Sequence, residues 1–464
     1  MDVEEFVRRQ MNEGTCDEDI VKKLAGHIQR IKSVPSSYAE AFAHAVIQEV
    51  INTKGLSGDF FAYEQSGVHM GDFGVGSRGT GDFFAHRQIA RIIGHTTASV
   101  GVDEMDDAGA VLLSSSGKNS EFYESSKTGT VNGEDKTGPY LVCTVDGMHS
   151  RLSDFPFLAG FHVTRATLRD VYVMGAHPVM LFSDIHVADD GDVAKIFDYT
   201  AGITAVGEVM NVPLVTGSTL RIGGDMVLGS RMTGCVGAVG IARHLTARKE
   251  TRPGDIILMT EGAGGGTIAT AALYSGFPDV VDATINLNFL LAAEALLRSD
   301  ALTKIHSMTD VTNGGLRGDV FEMAETAGCR IIIDEEEVGA LVHPDVAKML
   351  QELSIDFLGV SLDALLITAP RSAVPAIKSV IQDTGVTIRE IGRVEEGKPE
   401  SVIVTDGMEH DFSPRFRESA YTPLKKVVES HQFEFEEMKV KVQRAADAAI
   451  EKKQRVIERI RPGS

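Results

Sequence analysis

Between Val102 and Leu316 the chain repeatedly sets one or two carboxylates at the edge of a short apolar run, beside a glycine turn or a helix start. In order these are Val102-Asp103-Glu104-Met105-Asp106-Asp107-Ala108, Thr144-Val145-Asp146-Gly147, Leu168 to Pro178 around Asp170, and Met308-Thr309-Asp310-Val311-Thr312-Asn313-Gly314-Gly315-Leu316. Apolar runs of strand length interleaved with helical stretches specify layered sheets and helices. In such layers a carboxylate at a strand end stands where ligands are held. Hard oxygen ligands gathered there suit Mg²⁺, which takes a few carboxylates together with nucleotide phosphates.

The pattern divides the 464 residues into four stretches: 1–70, 71–245, 246–398 and 399–464. The first is helical, with Val3, Phe6, Val7 and Met11, then Ile20, Leu24, Ile28 and Ile31 at helical spacing. In the second, strands are expected at Ala110–Leu113, Tyr140–Thr144, Val179–Ile185, Pro213–Thr216 and Cys235–Ile241, with helices at Phe157–Met174 and Val193–Met210. The third opens at Arg252-Pro253-Gly254-Asp255 and repeats the alternation from Ile256 to Val394. A charged helix from Phe433 to Arg461 ends the chain, read as a packed tail or a dimer brace.

Gly71, Gly74, Gly76, Gly79 and Gly81 crowd the segment before a helix from Phe83 to Ile93. Glycines let backbone amides approach an anion, and a helix start favours one. The segment lacks Gly-Lys-Ser/Thr and is not a P-loop; its composition alone reads as an anion-binding turn or a flexible linker. A second glycine turn, Glu261 to Thr267, follows the strand at Ile256–Thr260.

Composition excludes several functions. A formal charge of −21 opposes nonspecific nucleic-acid binding. Cys16, Cys143, Cys235 and Cys329 form no CxxC pair, so neither a disulfide framework nor a zinc site is expected, and a reducing cytoplasm is. The acidic start Met1-Asp2-Val3-Glu4-Glu5 is unlike a signal peptide, and no apolar run has a bilayer-spanning length, so no membrane association is expected. His149, His162, His177 and His186 lack metal-ligand spacing.

Taken in this order, the motifs resemble the ATP-dependent superfamily of aminoimidazole ribonucleotide (AIR) synthase, selenophosphate synthetase, thiamin-monophosphate kinase and the hydrogenase maturation factor HypE. Asp106-Asp107-Ala108-Gly109, Thr144-Val145-Asp146, Asp170 to Pro178 with Met174-Gly175-Ala176-His177-Pro178, and Asp310 to Leu316 carry the resemblance, which covers roughly residues 70 to 397. HypE and AIR-synthase-related proteins are nearest. The resemblance implies a PurM-like two-domain α/β (α+β) fold. Its N-terminal sheet domain forms a β-barrel across a homodimer, its C-terminal domain is α/β, and helical extensions stand at both ends.

The same resemblance implies ATP and Mg²⁺ as cofactors and a small-molecule substrate, with a maturation-protein partner on the HypE analogy. Asp107, Asp146 and Asp310 are the implied catalytic carboxylates. Asp106, Asp107, Asp146, Asp170 and Asp310 are the implied metal ligands, and Gly76, Gly79, Asn313 and Gly314 the nucleotide-lining residues. His162 lies near a position that members use around the nucleotide. The implied reaction is phosphorylation of a carbonyl or amide oxygen, or phosphate transfer. The other reading is a non-catalytic ATP-binding scaffold in metallocentre or cofactor assembly. Departures bear on the choice. HypE ends in Pro-Arg-Ile-Cys, whereas this sequence ends Ile460-Arg461-Pro462-Gly463-Ser464. The glycine-rich segment has neither the Cys nor the Lys of selenophosphate synthetase, and Thr216-Gly217-Ser218-Thr219 replaces an acidic motif.

Overall fold

A computed structural model of the chain describes residues 1–54, 64–75, 79–94, 96, 98–113, 138–312, 314–429 and 434–460. The helical spacing near the N-terminus produces α1 (Val3–Asn12), α2 (Asp17–Lys32) and α3 (Ser36–Thr53). Val3, Val7, Ile20, Leu24, Ile28, Ala43 and Val46 close a small core of their own. Leu228 enters that core, and Lys32 pairs with Asp189 and Asp190, which fixes the bundle to the next unit.

After α4 (Met70–Phe73) and α5 (Thr80–Ile93) comes a five-stranded sheet. Its strands are β1 (Gly109–Leu112), β2 (Tyr140–Gly147), β3 (His177–Val187), β4 (Leu214–Arg221) and β5 (Met232–Ala242), in the order β1-β2-β5-β3-β4. Only β3 and β4 run parallel. One face is covered by α6 (Pro156–Val173), which packs against α7 (Ala194–Val209). The two helices touch backbone to backbone at Gly160 and Gly202: a Cβ on Gly160 would stand 2.0 Å from the Tyr199 carbonyl oxygen. The other face leaves Leu141 36%, Val145 59% and Ile241 39% exposed, and the Phe182 ring lies over Gly237 beside them.

The second sheet has seven strands in the order β12-β11-β8-β10-β6-β9-β7. They are β6 (Asp255–Thr260), β7 (Ser307–Asp310), β8 (Arg330–Asp334), β9 (Leu365–Pro370), β10 (Ile388–Glu395), β11 (Glu400–Thr405) and β12 (Met408–Asp411). Every residue of β6 and β7 is buried, as continuous apolar runs covered on both faces require. The helices are α8 (Gly266–Ser275), α9 (Val280–Thr284), α10 (Asn288–Leu297), α11 (Gly315–Ala327), α12 (Glu335–Gly339), α13 (Pro344–Glu352) and α14 (Val374–Gln382). Ile256, Leu258, Leu365 and Ile367 join the core of the first unit, while Ile257, Met259 and Leu366 pack on the other side with Ile268, Leu316 and Met349. Val280–Leu297 is long and apolar enough to cross a membrane by composition, but it folds as two helices and is half buried.

β11 runs parallel to β8 and brings β12 with it, so the second sheet continues past residue 398. Beyond it, α15 (Pro423–Glu429) and α16 (Phe435–Ile460) follow. α16 returns along α5, where Arg91 meets Asp447 at 2.8 Å and the Phe73 and Phe435 rings stand 5.6 Å apart.

Candidate active site

The two units and the stretch after β12 enclose a cleft of about 710 Å³. β2 delivers Asp146 to it, α6 delivers His162, Arg165, Arg169 and Asp170, and the end of β7 delivers Asp310. These placements follow from local rules. Asp146 and Asp310 end strand runs, and the 3.6-residue period of α6 puts 162, 165/166 and 169 on one stripe. Two helix starts face the same space, at Gly265-Gly266 of α8 and Gly314 of α11. Gly315 takes φ +64°, and a Cβ there would stand 2.2 Å from the Leu358 carbonyl oxygen, so the turn needs glycine.

Asp170 accepts the Thr144 hydroxyl at 2.9 Å. Burial pushes its carboxyl well above the usual carboxylate range, and the charges of Asp146, Asp310 and Asp107 push in the same direction against Arg169. Asp310 is wholly buried, with Arg169 Nε 3.1 Å from its Oδ2. Arg165 and Arg169 both pair with Asp363, and Arg165 is held further by the carbonyls of Asn286 at 2.8 Å and Gly264 at 3.2 Å. Like charges gathered at one wall of the cleft favour a cation beside them. Among the described residues no group of three His, Cys, Asp or Glu side chains is placed to hold a metal ion by itself. Mg²⁺ does not need one, since it keeps waters and takes phosphate oxygens.

The remaining expected residues separate. Asp106 and Asp107 lie behind the cleft rather than in its lining, bound to the fully buried Arg248. Arg248 Nη2 stands 2.5 Å from Asp107 Oδ1, its backbone N–H donates to Asp106 at 2.9 Å, and Thr309 donates to Asp107 Oδ2 at 2.6 Å. Burial raises the Asp106 carboxyl above its ordinary value, with Arg248 opposing. From the glycine-rich segment, Gly74, Val75 and Asp82 line the cleft. Gly79 instead packs on the Phe416 backbone, 2.1 Å from a Cβ position. Gly76 and Asn313 lie outside the described residues. Ser218 stands opposite Asp184 in the β3–β4 register, so that edge keeps a carboxylate.

Sequence reasoning did not find Arg165, Arg169, Asp363 or Arg248. Arg165 and Arg169, four apart in an otherwise apolar helix, were the available signal. It also did not find the strap from Arg417 to Lys425, which forms one wall of the cleft. The strap is tied down by Glu418, which pairs with Arg317 of α11 at 2.6 Å, and by Arg417, which donates to the Asp72 carbonyl at 2.9 Å. Tyr421 OH lies 2.7 Å from His149 Nε2, and Thr270 Oγ1 lies 3.1 Å from His149 Nδ1. Burial, with the nearby Lys425 and Arg151 cations, lowers the His149 pKa to about 4. Burial, with Arg169 and His149, lowers that of His162 to about 3. Both imidazoles are neutral at pH 7.

Comparison with known proteins identifies the family and the fold. The AIR synthase related protein N-terminal domain matches residues 127–242, and the corresponding C-terminal domain matches residues 252–405. Uncharacterized protein MJ1416 of Methanocaldococcus jannaschii is 49% identical, over 99% of this chain and 98% of its own length. A selenide, water dikinase of Myxococcus xanthus is 27% identical over 56% of this chain and 81% of its own. The carbamoyl dehydratase HypE of Rhodobacter capsulatus is 28% identical over 43% of this chain and 58% of its own. Among solved structures, HypE in complex with ATP superposes with a TM-score of 0.51 at 19% identity, covering 63% of this chain and 89% of that one. The HypE–HypF complex gives 0.52 at 18%, covering 68% and 94%.

Proposed function

Because the chain belongs to the AIR synthase related family, with the PurM-like two-domain fold, we propose that it is an ATP- and Mg²⁺-dependent enzyme that phosphorylates a carbonyl or amide oxygen of a small substrate. The observation that carries this reading is the meeting of Asp146, Asp170 and Asp310, from three elements of two domains, in one cleft. Asp146, Asp170 and Asp310 hold the metal–triphosphate. Mg²⁺ supplies neutralisation of the phosphate charge there. Asp106 and Asp107 add negative charge behind them, and Asp107 reaches a ligand only by sharing its carboxylate with Arg248. The starts of α8 and α11 offer backbone N–H groups and favourable dipoles to phosphate oxygens. Arg165 and Arg169, locked on Asp363, fix the stripe of α6 that carries Asp170.

In the chemical step the substrate oxygen bonds to the γ-phosphorus as the β–γ bridging bond breaks, and ADP leaves with the electron pair. The cleft contributes positioning and charge stabilisation. Substrate-free turnover of ATP, or turnover stimulated by the substrate, should be lost in Asp310→Asn. A scaffold role in cofactor or metallocentre assembly is the second reading, favoured by the strap that walls the cleft and by Ser218 in place of an acidic residue. Nucleotide binding without turnover by wild-type protein would select it.

We further read the assembly as a homodimer formed through the open face of the first sheet. Leu141 and Ile241 face each other across the β2–β5 register there, with Val145 four residues along β2 on the same face. Exposed apolar surface of this kind is characteristic of an interface.

A further inference from the structure

The cleft has electrical polarity. Its acidic side is formed by Asp146, Asp170 and Asp310, whereas Arg151 and Lys425 line it where His149 meets Tyr421 of the strap. Arg151 has its guanidinium carbon 4.0 Å from the Tyr274 ring centroid, and it makes no ion pair among the described residues. Stacking on an aromatic face restrains a guanidinium while keeping its charge and its preorganised fork of donors. Lys425 Nζ lies 4.0 Å from the centroid of Tyr421, whose hydroxyl is fixed by His149. His149 is in turn fixed by Thr270, so the two cations are held on a rigid aromatic and imidazole frame.

Resting on the nucleotide reading of the acidic side, we propose that Arg151 and Lys425 bind an oxyanion group, phosphate or carboxylate, on the substrate that receives the phosphoryl group. A guanidinium fork and an ammonium together match such a group, with bidentate pairing from arginine. The acceptor is therefore an anionic small molecule, anchored at the strap with its reactive oxygen directed towards the acidic side. The strap lies beyond residue 405, where the matched family domain ends, so Lys425 and Tyr421 adapt a shared phosphoryl-transfer cleft to this chain's own substrate.

The experiment uses the full chain and isothermal titration calorimetry with two probes, inorganic phosphate and acetate. Each is titrated with and without saturating Mg·AMP-PNP, and Mg·AMP-PNP is titrated separately. We expect one of the two anions to bind wild-type protein with nucleotide present, the preferred probe identifying the group as phosphate or carboxylate. Arg151→Gln and Lys425→Gln should each weaken that anion at least tenfold while leaving Mg·AMP-PNP affinity within twofold. Arg151→Lys, which keeps the charge, should recover part of the loss. Asp310→Asn should weaken the nucleotide but not the anion. Anion binding that is absent from wild-type protein, or unchanged in both variants, overturns the proposal. So does a loss of Mg·AMP-PNP affinity in Arg151→Gln and Lys425→Gln, which would assign these cations to the nucleotide phosphates. Failure of wild-type protein to bind Mg·AMP-PNP would instead refute the nucleotide reading, and the anion titration without nucleotide still decides the subsite.

Discussion

Replacing Arg248 with methionine should destabilise the protein severely, although the residue touches neither the cleft nor solvent. Its guanidinium is fully buried and lies 2.5 Å from Asp107, 2.7 Å from Glu322 and 3.5 Å from Asp319. It also donates to the Met105 carbonyl at 2.9 Å and to the Thr309 hydroxyl at 2.8 Å. Burial alone would disfavour its charge, but Asp107, Glu322, Asp319 and Asp106 outweigh that and hold its pKa well above the ordinary value. Methionine fills similar space and leaves these carboxylates without their shared cation. Breaking a buried ion pair from one side costs about 3–5 kcal/mol, because the partner charge stays buried. Summing each lost hydrogen bond would give more, but contributions within one network are not additive. In urea this is a fall of about 1 M or less in the unfolding midpoint, because m grows with the surface a large protein exposes. The pH dependence gives a second signature. Without Arg248 the Asp106 carboxyl, already raised by burial, loses the charge that opposes that rise. Its folded-state pKa then lies further above its unfolded value, so the stability it contributes is present at low pH and lost as pH rises through the folded value. The deficit should therefore be larger at pH 8 than at pH 5.5. Arg248→Lys, which keeps the charge but not the fork, should lose clearly less. An unchanged midpoint in Arg248→Met, or a deficit that grows on acidification, would refute the reasoning.

Asp310→Asn and Asp146→Asn should each weaken Mg·ATP at least tenfold, about 1.4 kcal/mol, and equal affinity in calorimetric titrations would remove them from the site. His162, with a folded pKa near 3, should contribute stability that is complete above its unfolded value of about 6.5 and is lost as pH falls below it. His162→Gln should accordingly flatten the fall in stability between pH 6.5 and 5 by about 2 kcal/mol, and an unaltered slope in denaturant titrations at those pH values would contradict the burial argument. Light scattering should give a dimer with more than roughly 2,000 Å² buried, converted to monomer by Leu141→Glu with Ile241→Glu; a wild-type monomer at micromolar concentration would exclude the open sheet face as the interface.

Much of this protein could be read from local order in its residues. The period of α6, the apolar runs of β2, β6 and β9, and the glycine at 315 each express a requirement set within a few residues, by helix geometry, sheet covering or a positive φ. Asp146 and Asp310 stand at the edges of apolar runs, which local order already shows, whereas Asp170 was marked only by the resemblance carried by the Met174-Gly175-Ala176-His177-Pro178 stop that follows it. Other features had no local signature. Asp107 and Arg248 are 141 residues apart, and Arg169 and Asp363 are 194 apart; either carboxylate alone is an ordinary acidic residue until folding removes water and supplies its partner. The path of the strap was decided by the parallel pairing of β11 with β8, which redirects the chain after Asp411 back across the cleft. Sequence alone determined which elements form and which carboxylates stand at their ends. Tertiary structure decided which of those carboxylates line the cleft and which are neutralised behind it, because that choice depends on burial and charge pairing between residues remote in the chain.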